Sequence, residues 1–427
     1  MTKKEQQKEK GDKEKKPVTT VDDLYRHSTQ YRLWSFTENQ LKERRTKVNV
    51  QGKRRALKKL KVFCERDDND HKFETSRDLL QLVSEDEELL EVNYYVDVLQ
   101  KLSSQVLKLP SQVRATAVAF LKRFYLVHSV MEHHPKKVLA TCLFLAAKSE
   151  NCFMAPKTLA EYLGSKTTPE SILELEFTLV QALSFTMLCH HPYRALHGFL
   201  FDFQGILIHR HPNGVVVTRK DESTGEKKKL RIKINKDRIM KGYVAAREWA
   251  DVSLKGDTAF LFTPPQIALA CFLKVDEEMT VAYLTYKFVK DQHKDRQEEG
   301  GKEEEEEEEE EDSDDEDNPE TKFDNDEEKD ENKTEEEKQK AKEVEKEKEL
   351  EKELEKEQHI QFYKKMIKTL RSCIRTMDSV RGPTLDEAKT IDKKVHYCIN
   401  PDKLLKRKRQ EGADGGQHDA KKIKLEG

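Results

Sequence analysis

The apolar residues of this chain fall at helical spacing, in two groups that are separated by charged stretches. The clearest run extends from Val138 to Lys148, where apolar side chains surround a helix and the single charge comes last. A helix without a polar face must be buried on every side, and this run is much shorter than the ~20 residues needed to cross a bilayer. We therefore predict a core helix that is enclosed by other protein helices and ends at the surface with Lys148.

Further helices are predicted around this core. Two of them open with capping chemistry, a Ser-x-x-Glu box at Ser84 and a Thr-Pro pair at Thr168. The predicted helices begin near Ser84, Ser111, Pro135, Ala155 and Thr168. Five helices in residues 84–188 predict an all-α bundle with its most apolar helix in the middle.

The pattern of the central helix recurs 128 residues later. At this offset Leu139 matches Ile267, and Phe144 matches Phe272. This internal repeat predicts a second bundle of the same kind over residues 236–380. Its last helix is expected near Ile360 to Met377, where apolar residues recur at three- and four-residue steps.

The segment between the bundles, residues 189–235, is predicted to be a linker with a basic insertion. It contains a short apolar helix over residues 196–203. Two β-like runs, 215–217 and 230–234, flank a turn-forming sequence and predict a small exposed hairpin.

Charge is strongly segregated along the chain. The formal net charge is only −3, yet residues 291–357 hold 36 acidic and 13 basic side chains. Such a segment cannot bury a core, so it is predicted to be a disordered insert that interrupts the second bundle. The alternative for its Lys/Glu-rich residues 340–357 is that they extend the last helix of that bundle into solvent. Residues 1–30 are predicted to be a disordered tail, and residues 381–427 a basic tail.

The region between residues 31 and 83 is predicted to be an N-terminal helix followed by a basic linker. Trp34 and Phe36 precede a capping box at Thr37, which starts a helix over residues 38–49. The basic run 53–66 is consistent either with nucleic-acid binding or with a solvated flank. The absence of interleaved aromatic residues favours the flank.

The sequence offers no catalytic constellation. It contains no paired nucleophile and base, no glycine-rich phosphate loop and no Cys-x-x-Cys pair among its seven cysteines. The His-His pairs at 133 and 190 each precede a proline and suit helix entrances, so we expect neither a metal nor a cofactor. The cysteines are interpreted as reduced thiols of a nuclear or cytosolic protein. No signal peptide or membrane-spanning segment is expected.

Glu176 is the unusual residue of the fifth helix. It occupies the position between Ile172 and Leu179 on an apolar stripe, and a carboxylate at the edge of such a stripe needs a partner. Lys148 is the candidate partner. The alternative is that both are ordinary surface charges, with Lys148 favourable at a helix C-terminus. Periodicity alone does not separate these interpretations.

These motifs together resemble the cyclin box, which is the repeat of the cyclin family. The resemblance covers residues 31–49, 84–290 and 358–380. The motifs that carry it are Lys122–Leu126, Ser129–Pro135, Phe144–Lys148, Ile172–Glu176, His191–Arg194, Gly198–Asp202 and Thr263–Leu269. It is similar to the family branch found in the kinase module of transcription factor TFIIH, in a fungal-type form. The resemblance implies tandem five-helix cyclin-box repeats, extra N- and C-terminal helices and disordered tails.

The resemblance also implies a kinase-binding surface. Cyclins keep a lysine and a glutamate at the positions of Lys148 and Glu176, and they hold the kinase's αC helix so that its glutamate pairs with the lysine that positions ATP. The residue pattern after Lys148 departs from the family. The implied kinase-binding residues are Lys148, Glu176, Phe144, Leu145, Glu150, Phe177, Trp34 and Phe36.

The implied role is that of a non-catalytic nuclear activator of a transcription-type cyclin-dependent kinase, promoting phosphorylation of the RNA polymerase II C-terminal domain. The implied partners are the kinase catalytic subunit, a RING-finger assembly subunit and the TFIIH core; neither a membrane nor direct nucleic-acid contact is expected. Ser313, within Ser-Asp-Asp-Glu, is a candidate phosphorylation site. Candidate nuclear-import residues are Lys406, Arg407, Lys408 and Arg409.

Two other functions fit parts of the sequence. A TFIIB-type DNA-binding factor shares tandem helical repeats and would use the basic segments 41–66 and 209–241, with binding that weakens steeply with salt. No zinc-ribbon cysteine pattern precedes the repeats. A scaffold for basic proteins would need only residues 291–357.

Overall fold

The computed structural model describes residues 25–66, 73–164, 167–220, 227–290 and 335–407. They form two compact units. The first comprises the residues up to His190 together with those from Arg381 onward, and the second comprises His191–Val380. The predicted all-α class is confirmed, since helices make up nearly all regular structure in the described ranges. The disordered tails and most of the acidic insert were predicted for stretches that include 1–24, 291–334 and 408–427, which lie outside the described residues.

The first unit contains nine helices before residue 190 within its described ranges. They are α1 (Thr29–Trp34), α2 (Glu38–Cys64), α3 (Phe73–Leu79), α4 (Glu85–Lys101), α5 (Ser111–Phe124), α6 (Pro135–Ser149), α7 (Pro156–Leu163), α8 (Pro169–Glu174) and α9 (Glu176–Ala182). A π-helical segment, Leu102–Val106, follows α4.

Helix α6 is the predicted core helix. Its residues Val138–Ala147 are all buried, and α4, α5, α7, α8 and α9 pack around it. Asn151 follows its C-terminus with φ 55°, and the Cys152 amide donates to the Ala147 carbonyl over 2.8 Å. This is a Schellman ending, in which asparagine tolerates the left-handed conformation. The unusual residues after Lys148 therefore terminate the helix.

Helix α2 is longer than predicted and includes the basic run. Its buried residues keep helical spacing and face the first unit, and they include Leu41, Val48, Ala56 and Leu60. At Gly52 the helix approaches a loop so closely that a Cβ atom would lie 2.2 Å from Ser129 Oγ. The basic side chains of this region thus lie on a packed helix and not on a linker.

The predicted fifth helix is divided into α8 and α9 at Leu175. The Thr141 hydroxyl of α6 donates to the Ile172 carbonyl over 3.1 Å. In a continuous helix that carbonyl would accept from the amide of Glu176. The buried threonine bonds to this carbonyl near the end of α8, and a new helix begins at Glu176.

The second unit is built around a repeat of the core helix. Its elements are α10 (Pro192–Gln204), β1 (Val215–Lys220), β2 (Lys227–Ile232), α11 (Lys236–Ser253), α12 (Thr258–Leu261), α13 (Pro264–Val275), α14 (Glu277–Thr285) and α15 (Glu335–Asp378). Helix α13 is buried from Ile267 to Leu273 and packs against α10, α11 and α15. π-helical segments follow α10 at Gly205–Arg210 and α14 at Tyr286–Lys290.

Two sequence predictions for this unit need correction. Helix α10 is not part of a linker, because Leu196, Leu200 and Phe203 are buried in the second core. The antiparallel hairpin pairs Val215 with Ile232 and Val217 with Leu230. It is not fully exposed, since Val215 and Val217 are buried. The reason is the two-residue period of a strand, which directs both valines to one face.

The end of the predicted acidic insert is helical, in agreement with the alternative that residues 340–357 extend the last helix. Residues 335–357 belong to α15, which continues without interruption to Asp378. The alternation of glutamate and lysine at helical spacing favours this helix.

The chain then returns to the first unit with α16 (Leu385–Ile399), where a basic tail was predicted. Thr384 and Glu387 form a capping box at its start, and Ala388, Ile391, Val395 and Cys398 are buried. Residues 401–407 are helical too, and Leu404 and Leu405 are buried. The prediction of a tail was wrong because the charge of this region obscured a stripe of apolar residues. No helix in the described ranges has the length and apolar character to span a bilayer.

A buried carboxyl group lies where α16 meets α4. Glu91 is fully buried, and burial followed by the negative charge of Asp392 raises its pKa to about 8. Asp392 accepts hydrogen bonds from Tyr95 Oη at 3.1 Å and His134 Nε2 at 2.9 Å, and the bond from His134 lowers its pKa. At neutral pH, therefore, Asp392 carries the charge and Glu91 the proton.

This proton makes folding pH-dependent. Between pH 4.5, the ordinary pKa of glutamate, and about 8, Glu91 is protonated when folded and ionised when unfolded. Unfolding then releases a proton, so stability falls as pH rises, by up to about 1.4 kcal/mol per pH unit. We expect Glu91→Gln to flatten the decline in the free energy of unfolding between pH 6 and 8. The exposed-site control Asp86→Asn should keep the wild-type slope, and urea titrations of the three proteins measure this. Equal slopes in wild type and Glu91→Gln would contradict the assignment.

Candidate functional site

The predicted pair forms at the surface of the first unit. Lys148 lies in the last turn of α6 and Glu176 at the first position of α9, and Lys148 Nζ donates to Glu176 Oε1 over 2.9 Å. The side chain of Lys148 is 63% exposed and that of Glu176 is 23% exposed. An ion pair this open to water contributes only about 0–1 kcal/mol to folding. The pair is therefore accessible and is not needed to hold the fold.

Three other predicted site residues lie in α6 or directly after it. Phe144 is almost buried, and Lys148 Nζ lies 5.8 Å from the centre of its ring. Leu145 is only 4% exposed, so it belongs to the core and offers almost no surface to a partner. Glu150 accepts hydrogen bonds from Thr116 Oγ1 at 2.6 Å and Gln112 Nε2 at 2.8 Å. It joins the end of α6 to α5 and thereby fixes the backbone beside Lys148.

Exposed apolar side chains are found on the elements around the pair. Phe177, which follows Glu176, is 65% exposed. Five further large apolar residues between positions 153 and 188 are exposed and were not predicted as site residues; they are Phe153, Tyr162, Leu173, Phe185 and Leu188. Large apolar side chains exposed on one part of a chain favour a protein-binding role.

Phe185 stands out in this group because its backbone is strained. Ser184 and Phe185 both have positive φ, at 52° and 57°, and the Phe185 amide donates to the Val180 carbonyl at 3.0 Å. Left-handed geometry costs a bulky residue about 1–2 kcal/mol. The side chain that results is 66% exposed. A strained backbone at an exposed aromatic residue favours a functional role over a structural one.

Trp34 and Phe36, the remaining predicted kinase-binding residues, lie next to arginine side chains of the first unit. Trp34 is 2% exposed, and its Nε1 donates to Thr186 Oγ1 over 3.0 Å. The guanidinium of Arg123 lies 5.1 Å from its ring centre, and that of Arg44 lies 5.5 Å from the Phe36 ring. Trp34 is thus an anchor that ties α1 to the segment after α9. Its influence on a partner must be indirect.

A His-Glu-His group occurs in the loop between α5 and α6, where the sequence analysis expected no metal site. Potential ligand atoms of His128, Glu132 and His133 lie within 4.8 Å of one another. Arg55 of α2 forms an ion pair with Glu132, and the ring of Phe124 stacks on His128 with centroids 4.8 Å apart. These contacts explain why the three residues lie together: they pack α2 against the loop.

The remaining predicted sites lie near or beyond the end of the described residues. Lys406 and Arg407 are exposed and helical. Lys408, Arg409 and Ser313 lie outside the described ranges.

Comparison with known proteins identifies the class of this fold. The family described as cyclin, N-terminal domain matches residues 66–188, and the family described as cyclin C-terminal domain matches residues 191–378. Cyclin mcs2 of Schizosaccharomyces pombe is 34% identical over 274 residues, which are 63% of this chain and 74% of the relative. The chain belongs to the cyclin family.

Within the family the chain is similar to cyclin H, as the sequence predicted. Cyclin CCL1 of Saccharomyces cerevisiae is 35% identical over 268 residues, which are 62% of each chain and so less than two thirds of that relative. Proteins named cyclin-H also match. A solved structure of the CAK complex of Chaetomium thermophilum bound to ATP-gamma-S includes a chain of the same fold, with a TM-score of 0.59 and 22% identity. The match covers 93% of this chain and 96% of that chain.

The burial of Trp34 can be tested by its effect on stability. We expect Trp34→Ala to lower the free energy of unfolding by about 3–5 kcal/mol, because it leaves a cavity under α1. Trp34→Phe keeps most of the packing and loses the bond to Thr186, so it should cost about 1 kcal/mol. Chemical denaturation of both variants measures the difference. Two equally small losses would show that Trp34 is not an anchor.

Proposed function

We propose that this chain is the regulatory cyclin subunit of a transcription-type cyclin-dependent kinase in the TFIIH kinase module. It binds and activates the kinase and thereby promotes phosphorylation of the RNA polymerase II C-terminal domain. The observation that carries the proposal is the Lys148–Glu176 pair, which is open to solvent and is followed directly by the exposed Phe177.

The pair is well suited to binding a partner. In the unbound chain water weakens its attraction, so the pair contributes little to folding. When a partner excludes that water, interactions of both charges with partner backbone and side chains become stronger. The apolar side chains nearby supply the area that association needs, and the two charges supply orientation.

The contribution of this chain to catalysis is geometric. A rigid surface that fixes the kinase's αC helix allows its glutamate to pair with the lysine that positions ATP phosphates. The chain supplies no reacting group in this mechanism. The rigidity comes from the buried α6 and from Glu150, which ties the end of that helix to α5.

The other proposed partners follow from the same family resemblance. We infer that a RING-finger assembly subunit and the TFIIH core bind the kinase-cyclin pair, and that the complex acts in the nucleus. The rival function of DNA binding through α2 is less well supported. Arg44 of that helix donates to the Leu126 carbonyl at 3.1 Å, and Arg55 pairs with Glu132, so two of its arginines already have contacts within the unit.

Removal of either charge tests the proposal. We expect Lys148→Ala and Glu176→Ala each to weaken kinase binding by about 2–5 kcal/mol, because the charge that remains is desolvated without its partner. Kinase activity toward a C-terminal-domain peptide should fall with it. Binding is measured by titration of the purified catalytic subunit, and folding by the thermal midpoint of the free cyclin.

The second repeat offers a matched control. Lys274 of α13 also forms an ion pair, with Asp378 at 2.6 Å. Lys274→Ala should leave kinase affinity unchanged. If it weakened binding as much as Lys148→Ala, the effect would be general and the surface would be misassigned; if neither Lys148→Ala nor Glu176→Ala changed affinity, the proposal would fail.

A further inference from the structure

Helix α16, which was predicted to be part of a basic tail, forms one side of a concave surface on the first unit. A cavity of about 410 Å³ lies between α16 and the end of α3. Four cationic side chains line it. They are Lys389, Lys393, Lys394 and Arg407. We call this cavity the α16 groove; its size is within the range of sites that hold a peptide side chain or a small ligand.

The lining of the groove is positively charged, since the described residues that line it include four cations and no acidic side chain. Lys394 pairs with Glu87 at 2.5 Å, and Lys389 lies 3.5 Å from Asp386. Neither of these carboxylates lines the cavity, whereas all four cations do. Lys389 and Lys393 are exposed and one helical turn apart, so they present positive charge along the same face of α16. The groove therefore attracts an anionic group.

The groove also has apolar surface. Leu79, at the end of α3, lines it and is 42% exposed. Tyr397 of α16 also lines the groove, and its hydroxyl accepts a hydrogen bond from Arg407 at 3.0 Å. The ligand that fits best combines acidic groups with an apolar side chain.

The backbone that carries the charged residues is fixed before any ligand arrives. The buried residues Ile391 and Val395 anchor α16, and Leu405 anchors the following turn. Arg407, part of the basic run interpreted as an import signal, is held in this helical turn. Preorganised charges lose less entropy on binding than charges on a mobile tail.

We propose that the α16 groove binds an acidic peptide segment of a partner protein. Carboxylates of the peptide pair with Lys389 and Lys393, and an apolar side chain packs on Leu79. Nucleic acid is the weaker candidate, because successive bases need several aromatic rings to stack on and Tyr397 is the one aromatic residue of the lining.

The test uses a fluorescein-labelled Leu-Glu-Glu-Leu-Glu-Glu peptide and the full chain. We expect saturable binding by fluorescence anisotropy, weakened by salt because exposed charges are screened. The same peptide with glutamine for glutamate should not bind. Lys389→Glu with Lys393→Glu should weaken binding about tenfold or more, since two attractions become repulsions. The milder pair Lys389→Gln with Lys393→Gln should weaken it less while it leaves the thermal midpoint unchanged.

A charge-matched control separates the groove from general attraction. Lys58→Glu with Lys61→Glu makes the same change of charge on the exposed face of α2. Equal weakening by this control would overturn the proposal, as would equal binding of the glutamine peptide. Displacement of the peptide by labelled dT12, with tighter groove-dependent binding of the oligonucleotide, would assign the groove to nucleic acid and refute the peptide.

Discussion

The enclosure of α6 is the constraint from which the rest of the first unit follows. A helix with no polar side can be stable only if neighbours cover it completely, and five other helices pack against it. The first residue at which the helix leaves this enclosure is Lys148. The Schellman ending at Asn151 and the bonds of Glu150 then fix the chain just beyond it. Lys148 is thus accessible because the core helix ends there.

Polar contacts inside the unit decide where its terminal helices lie. Glu88 of α4 is buried and accepts from Asn49 of α2 at 2.8 Å and from the Val130 amide at 2.7 Å. On the α16 side, Asp392 accepts from Tyr95 of α4 at 3.1 Å and from His134 at 2.9 Å. Buried polar groups are costly unless satisfied, so each contact favours one docking geometry over others. Apolar burial holds these helices on the unit, and the polar contacts fix their register.

Sequence reasoning succeeded where periodicity determined the answer. The core helix and its repeat at α13 could be predicted from the spacing of apolar residues. The same spacing singled out Glu176 but did not decide whether it pairs with Lys148. It failed where a long-range contact decided the outcome. The break at Leu175 lies beside the bond from Thr141, which is distant in sequence. Leu145 was assigned to the kinase surface by the family resemblance, although the prediction of a buried core helix already placed it in the core. Helix α16 was predictable in principle, from the Thr384 capping box and the apolar stripe behind it, but its charge was given more weight than its period.

The two repeats differ in what they do with the end of the core helix. In the second unit Lys274 lies 4.3 Å from the ring centre of Trp249 and pairs with Asp378, and its side chain is only 20% exposed. In the first unit Lys148 is 63% exposed, and its partner Glu176 begins a helix whose next residue is the exposed Phe177. The repeated core helix therefore ends in a mostly buried lysine in the second unit and in an exposed lysine in the first. Both lysines form ion pairs. A repeated core can keep its packing while the exposure of the charge at its end changes, because the packing depends on the apolar residues and the exposure on the few residues beyond them.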